Sequence, residues 1–285
     1  MEKKLLGKTG LEISPVTFGG IIEMDETQED ANKYVAYAIE RGVNYFDVAP
    51  SYGNAELKLG PALAPYRKQV YLACKTQKRT ADEAKKELLQ SLKNLQTDHF
   101  DVYQLHAMTT QEDADTAFGP GGVMETILWA KKEGLVNHIG FSTHSEDIAL
   151  HIMDQYDFES VLFPMQWALG IVRGWGDRIS ERVKKTGAGL LAMKTLIHRS
   201  WLEGEERNSF PKSWCKPIHE NDALGVAGMK YGLSKGAATL VPPGNFAHFT
   251  FMLDHIDECL KNPLSEAEWK LLRAEAEKVK DHLIF

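Results

Sequence analysis

The sequence predicts an α/β fold: a closed (β/α)8 TIM barrel with an N-terminal β-hairpin and a C-terminal helix. Three observations carry that expectation. Eight short, β-rich apolar runs alternate with eight stretches of helical period, and strand–helix alternation joins parallel strands through right-handed crossovers. Eight such units in 285 residues suit a barrel, typically ~250 residues, better than an open doubly wound sheet. No G-x-G-x-x-G follows any apolar run, which disfavours a Rossmann sheet. The expectation is one domain, 1–285.

The elements follow in order. Lys4-Leu-Leu-Gly7 and Leu11-Glu-Ile-Ser14 flank Lys8-Thr9-Gly10, a hairpin pattern suited to plugging the barrel bottom. Apolar runs lie at 16–18, 43–46, 70–73, 100–105, 136–141, 160–163, 189–193 and 237–241. Helical period marks 28–41, 54–63, 81–95, 122–133, 146–155, 176–186, 221–233 and 246–260. Thr80 with Glu83, and Ser265 with Glu268, read as capping boxes, and Ser145 as a cap before Glu146 and Asp147. Near the end, Trp269, Leu272, Ala276, Val279 and Leu283 form one apolar stripe, expected to pack against the outside of the barrel. Two connections are too long for turns. One is 107–121, acidic and Thr-rich; the other is 197–220, with Trp201 and Trp214. Both follow strands, so both are expected on the C-terminal face as functional lids.

A net charge of −7 argues against nucleic acid or an anionic membrane as partner, because both demand clustered positive charge. With 43% hydrophobic and 26% charged residues, bulk disorder is excluded. Cys74, Cys215 and Cys259 are far apart and form no C-x-x-C, so no disulfide framework or sequence-local metal site is expected. No apolar run approaches ~18 residues, and the charged N-terminus has no apolar segment behind it. A reducing cytoplasm is the expected location.

Three consecutive strands end in a reactive side chain: Asp47, Lys75 and His106. Tyr52 follows Asp47 by one short loop. Strand tops converge in a closed barrel, so an acid, a base, a phenol and an imidazole can share one pocket suited to proton transfer. Spacing alone leaves the reaction unnamed.

Leu6-Gly-Lys-Thr-Gly10, Thr17-Phe-Gly-Gly20, the run from Gly42 through Asn44-Tyr-Phe-Asp47 to Ser51-Tyr-Gly53, and Ile139-Gly-Phe-Ser-Thr-His144 resemble the aldo-keto reductase superfamily, in order over nearly the whole chain. Leu191-Ala-Met-Lys-Thr-Leu196 is most similar to bacterial ferredoxin-associated-type members, here without the cysteines of an iron–sulfur segment. The resemblance implies hydride transfer between a nicotinamide and a small-molecule carbonyl or alcohol. Tyr52 is then the general acid, Lys75 favours its phenolate, Asp47 pairs with Lys75, and His106 orients the carbonyl oxygen. A free phenol, pKa about 10, holds its proton too tightly without such help.

The resemblance also implies that Ser142, Thr143 and Gln166 hold the nicotinamide carboxamide. Met193 takes the place of a stacking aromatic, Lys194 suits the pyrophosphate, and Gly244 and Asn245 form the turn before the adenosine phosphate. The cofactor is NADP(H) or NAD(H). The choice stays open, because no Lys or Arg lies between Lys235 and Lys261 to grip a 2′-phosphate; His248 is the lone cationic candidate there. His144, Trp175, Trp201 and Trp214 are further substrate-wall candidates, and Arg199, Arg207 and Lys212 a possible anion clamp. Alternatives are a redox-neutral lyase or epimerase using the same tyrosine, and a cofactor-sensing scaffold. A monomer without metal is expected.

Overall fold

Eight parallel strands form the centre of the computed structural model, which describes residues 1–285. They are β1 (Phe18–Gly19), β2 (Tyr45–Asp47), β3 (Tyr71–Thr76), β4 (Phe100–Leu105), β5 (Val136–Ser142), β6 (Ser160–Pro164), β7 (Gly189–Met193) and β8 (Thr239–Val241). Each pairs in parallel with its sequence neighbour. The ends of the sheet meet through a parallel bridge between Val16 and Leu240, where the Thr17 N–H donates to Leu240 O at 3.0 Å and the Leu240 N–H to Pro15 O at 2.9 Å. The predicted (β/α)8 barrel therefore closes, and all eight expected runs supply its strands.

The predicted hairpin is present: Lys4–Leu5 pairs antiparallel with Glu12–Ile13. It plugs the barrel bottom, where Leu6 and Ile13 pack with Tyr45, Ala73, Val102 and Leu191. Gly189 makes this seating possible, since a Cβ there would lie 2.4 Å from the Leu6 side chain.

The helices are α1 (Gln28–Glu40), α2 (Ala55–Leu63), α3 (Ala81–Asn94), α4 (Gln111–Phe118), α5 (Val123–Lys132), α6 (Glu146–Gln155), α7 (Trp167–Arg173), α8 (Asp177–Thr186), α9 (Asp222–Ser234), α10 (Phe246–Lys261) and α11 (Glu266–Val279). Two of them depart from expectation. The 107–121 connection is not a loose lid: Thr110 caps α4 by accepting from the Asp113 N–H at 3.0 Å, and Met108, Ala114 and Ala117 are buried. Helix α7 has only seven residues, too few for a period to show. Ser265 and Glu268 form the predicted capping box. The Thr80 box does not form, because the Thr80 hydroxyl donates to Glu83 at 2.6 Å instead of accepting from the backbone.

The C-terminal stripe packs outside the barrel as expected. Leu272, Ala276 and Val279 bury against Trp167 of α7 and Leu224, Ala227 and Tyr231 of α9. The 197–220 connection carries a short strand pair, Ile197–Arg199 with Lys216–Pro217, and the strap between them crosses the barrel mouth. No helix is long and apolar enough to cross a membrane.

Candidate active site

Strands β2, β3 and β4 end side by side at the barrel mouth and bring Asp47, Lys75 and His106 together with Tyr52. Lys75 is fully buried. Its ammonium donates to Asp47 Oδ1, and lies 3.4 Å from both Val48 O and the Tyr52 hydroxyl. His106 stands edge-on to Tyr52, with ring centroids 5.8 Å apart. Directly after His106, Ala107 adopts a left-handed backbone, φ 53°. A non-glycine residue pays for that conformation only where surroundings enforce it. Here the Ala107 N–H donates to Ser142 Oγ at 3.0 Å and the Met108 N–H to Ser142 O at 2.9 Å, which fixes the turn that aims His106.

Charge is managed by burial and pairing. Burial alone would lower the Lys75 pKa, but the Asp47 carboxylate more than reverses this and holds the ammonium charged. Burial pushes the Tyr52 hydroxyl up, and Lys75 opposes the rise without cancelling it. The expected tilt toward phenolate is thus outweighed, and Tyr52 keeps its proton at neutral pH. Burial, with Lys75 and Arg79 nearby, takes His106 down to about 3. Its imidazole is neutral and can donate one hydrogen bond.

A cavity of about 90 Å³ opens above this cluster, lined by Asp47, Tyr52, Met193, Lys194, Lys212 and Gly244. Met193, Lys194 and Gly244 thus line the same cavity as the tyrosine. Lys194 is also left-handed, φ 68°. Thr143 and Gln166 are placed differently: both are buried and bonded to backbone. Thr143 donates to Met108 O and accepts from the Ser145 N–H at 3.0 Å. Gln166 caps α7 by accepting from the Leu169 N–H at 2.6 Å, and its amide donates to Ile197 O at 3.0 Å and His198 O at 3.2 Å. Ser142 accepts from Ala107 and keeps its O–H free. Asn245 caps α10 and lines a neighbouring cavity.

The remaining candidates separate. Trp214 is exposed on the strap, with its ring 6.3 Å from that of Tyr52. Trp201 donates to Ser213 O at 3.0 Å and braces the strap. Trp175 stacks on Phe163 at 5.6 Å. Arg199 is paired with Glu205 at 2.7 Å, and Arg207 lies over the Trp201 ring; Lys212 lines the cavity, with its ammonium paired to Glu26. His144 is taken down to about 4 by burial and by Lys194, and stacks on Phe285 at 5.1 Å.

Two supporting residues escaped the sequence reading. Gln104 donates to Asp47 Oδ2 at 2.9 Å, so both carboxylate oxygens are held. It lies two residues before His106, on the same face of β4, and that period was the available signal. Arg79 donates to His106 O at 2.8 Å and to Asp113 at 2.8 Å, tying the β4 turn to α4. Nothing in its sequence neighbourhood marked it.

Comparison with known proteins agrees with this fold. Among curated relatives, the chain is 28% identical over 183 residues to an uncharacterized oxidoreductase of Bacillus subtilis, covering 59% of this chain and 57% of the relative. It is 31% identical over 175 residues to an L-galactose dehydrogenase of Arabidopsis thaliana, covering 54% and 52%. A 6-dehydroglucose reductase of Novosphingobium aromaticivorans is 30% identical over 162 residues, covering 50% and 51%. The chain spans about half the length of these relatives. Among solved structures, the holo form of an aldo-keto reductase from Bacillus halodurans superimposes with a TM-score of 0.72 at 21% identity, covering 96% of each chain. A putative aldo-keto reductase from Pseudomonas aeruginosa gives 0.71 at 20%, covering 90% of this chain and 95% of the other. These two show the shared fold. A model of the aldo/keto reductase family matches residues 17–238, and the chain belongs to that family.

Proposed function

We propose that the chain is an NAD(P)(H)-dependent oxidoreductase that interconverts a small aldehyde, ketone or sugar-like carbonyl with its alcohol. The observation that carries this reading is the Tyr52 hydroxyl 3.4 Å from a buried, carboxylate-paired ammonium, with a neutral imidazole across from it. Tyr52 gives its proton to the carbonyl oxygen in reduction and takes it back in oxidation. Lys75 stabilises the phenolate left behind, and general acid catalysis of this kind contributes ~10²–10⁴ in rate. His106 donates to the same oxygen and fixes its direction. Two of the relatives are named for sugar substrates, which supports a sugar-like carbonyl.

The residues present fit a nicotinamide dinucleotide. One ammonium without a carboxylate partner, Lys194, lines the cavity where a pyrophosphate would lie, beside Lys212, whose own ammonium is paired with Glu26. Gly244 lets the strap pack on the turn, since a Cβ there would lie 2.7 Å from Lys212 O. The next cavity contains an unpartnered buried acceptor, His248 Nδ1. When bound, the nicotinamide supplies or accepts the hydride. Met193 would pack on its ring, and the free Ser142 O–H would meet its carboxamide, with Thr143 and Gln166 holding the loops behind. The test is titration with NADH and NADPH, followed by absorbance with an aldehyde and sugar panel. Oxidation of either cofactor by a panel member is expected; binding of neither would sink the proposal.

A further inference from the structure

The cavity next to the active site is the larger of the two, at about 360 Å³, within the ~300–1,000 Å³ range of small-molecule sites. It lies between the N-terminal ends of α9 and α10 and the strap, and Glu220, Asp222, Asn245, His248, Phe210 and Phe251 line it. The two cavities meet at the turn between β8 and α10: Gly244 lines one and Asn245 the other. The strap packs on that turn at Gly244, where a Cβ would lie 2.7 Å from Lys212 O, so a ligand with one end beside Tyr52 and the other in this outer cavity requires the strap to lift there.

The outer cavity combines three kinds of surface. Its flat apolar part is aromatic, with Phe210 centred 5.2 Å from the His219 ring and 5.3 Å from His248. Its buried polar point is His248. Nε2 donates to Ile218 O at 2.9 Å, so Nδ1 is the lone-pair acceptor, and that atom is buried without a partner. An exocyclic amino group on a planar ring is the matching donor. The third surface is charged: Glu220 and Asp222 are exposed carboxylates, and no Lys or Arg lines the cavity. Carboxylates accept hydrogen bonds from sugar hydroxyls and repel a phosphate in the same place.

We infer that the outer cavity takes the adenosine end of the dinucleotide, and that Glu220 and Asp222 select a free 2′-hydroxyl there, so that the chain uses NAD(H) in preference to NADP(H). This rests on the oxidoreductase reading above and adds to it a choice that the family leaves open. The inner cavity, with Lys194, attracts the pyrophosphate common to both cofactors. The outer one separates them by the single group in which they differ.

The experiment is equilibrium titration of the full chain with NADH and with NADPH, read by quenching of tryptophan fluorescence, with AMP and 2′,5′-ADP as competitors. NADH is expected to bind roughly tenfold or more tightly than NADPH, and AMP to compete better than 2′,5′-ADP, as like-charge contact at an interface requires. The gap should narrow as added salt screens the repulsion. In the Glu220→Gln, Asp222→Asn double variant, NADPH affinity should rise toward that of NADH, with the unchanged melting temperature showing an intact fold. Equal or tighter NADPH binding by the parent chain would overturn the selectivity and leave the oxidoreductase reading standing. An unchanged cofactor ratio in the double variant would overturn the role of the two carboxylates. Binding of neither dinucleotide would overturn both readings.

Discussion

The cavity over Tyr52 and the cavity between α9 and α10 share a wall but handle charge in different ways. Over Tyr52 the charges are buried and answered one by one: Asp47 is held by Lys75 and Gln104, and the supporting side chains sit on strands β2, β3 and β4. Between the helices Glu220 and Asp222 are exposed and come from a connection and a helix start. A buried charge that loses its partner is costly, whereas an exposed one is solvated and its removal changes the fold little. On the reading proposed above, chemistry and cofactor choice rest on parts of the molecule with different tolerance. A substitution in the inner cluster should act on turnover and stability together, and one in the outer cavity on binding alone.

The most direct way to break that division is Tyr52→Phe. Loss of the hydroxyl should lower kcat by ~10²–10⁴ while dinucleotide affinity, measured by fluorescence titration, stays within a few-fold. A matching loss of affinity would show that the inner cluster also carries binding. The pH profile sharpens the point. Burial takes His106 to about 3 and holds the Tyr52 proton, so kcat/KM for carbonyl reduction should be level from pH 5 to 8 and fall only on the alkaline side, where Tyr52 ionises. A limb near pH 6.5 would instead assign a titrating histidine to the reaction.

Asp47→Asn is next in size. It leaves the buried Lys75 ammonium without its counter-charge, a change that typically costs ~3–5 kcal/mol. The melting temperature should drop on the order of 10 °C at about 2–4 °C per kcal/mol, with turnover falling as well. Gln104→Ala removes one of Asp47's two partners and should cost about 1–3 kcal/mol, visible as a smaller shift in the same melting experiment. An unchanged melting temperature in both variants would show that the inner charges are better solvated than their burial indicates.

The two regions also differed in how far the sequence revealed them. Asp47, Lys75 and His106 each end an apolar run, and once the strand–helix alternation implies a barrel, their convergence follows from topology. Gln104 escaped because a polar residue inside an apolar strand carries no boundary signal, although it shares a face with His106. Gln166 is ambiguous for the opposite reason. A side-chain amide suits a helix cap as well as a ligand, and the seven-residue helix it caps was too short to announce itself. The outer cavity is assembled from segments near 209–222 and 245–251, remote in sequence. Only the lack of Lys and Arg after the eighth strand was legible, and the carboxylates that give that lack its meaning enter from another connection.

The smallest expected effect lies at the strap that separates the cavities. Lys212 ties the strap to the turn after β1 by donating to Ile22 O at 2.7 Å and to Glu26. Glu23 lies in that turn, fully buried, with neither carboxylate oxygen hydrogen-bonded. Burial, with Glu26 nearby, pushes it up to about 8, against weaker pulls from Lys212 and Lys58. Its folded-state pKa is raised, so the folded chain keeps a proton that the unfolded chain releases above the ordinary glutamate range. The associated stability is present in full below that range and is lost progressively as pH rises to about 8. Glu23→Gln cannot ionise, so its melting temperature should gain on the parent between pH 5 and pH 8, whatever fixed offset the buried amide introduces. A difference independent of pH would mean that Glu23 is charged in the folded chain and that Lys212 reaches it. The strap would then be held to the barrel by Glu23 as well as by Glu26, and the inner cavity's rule of paired charge would extend to the wall between the two.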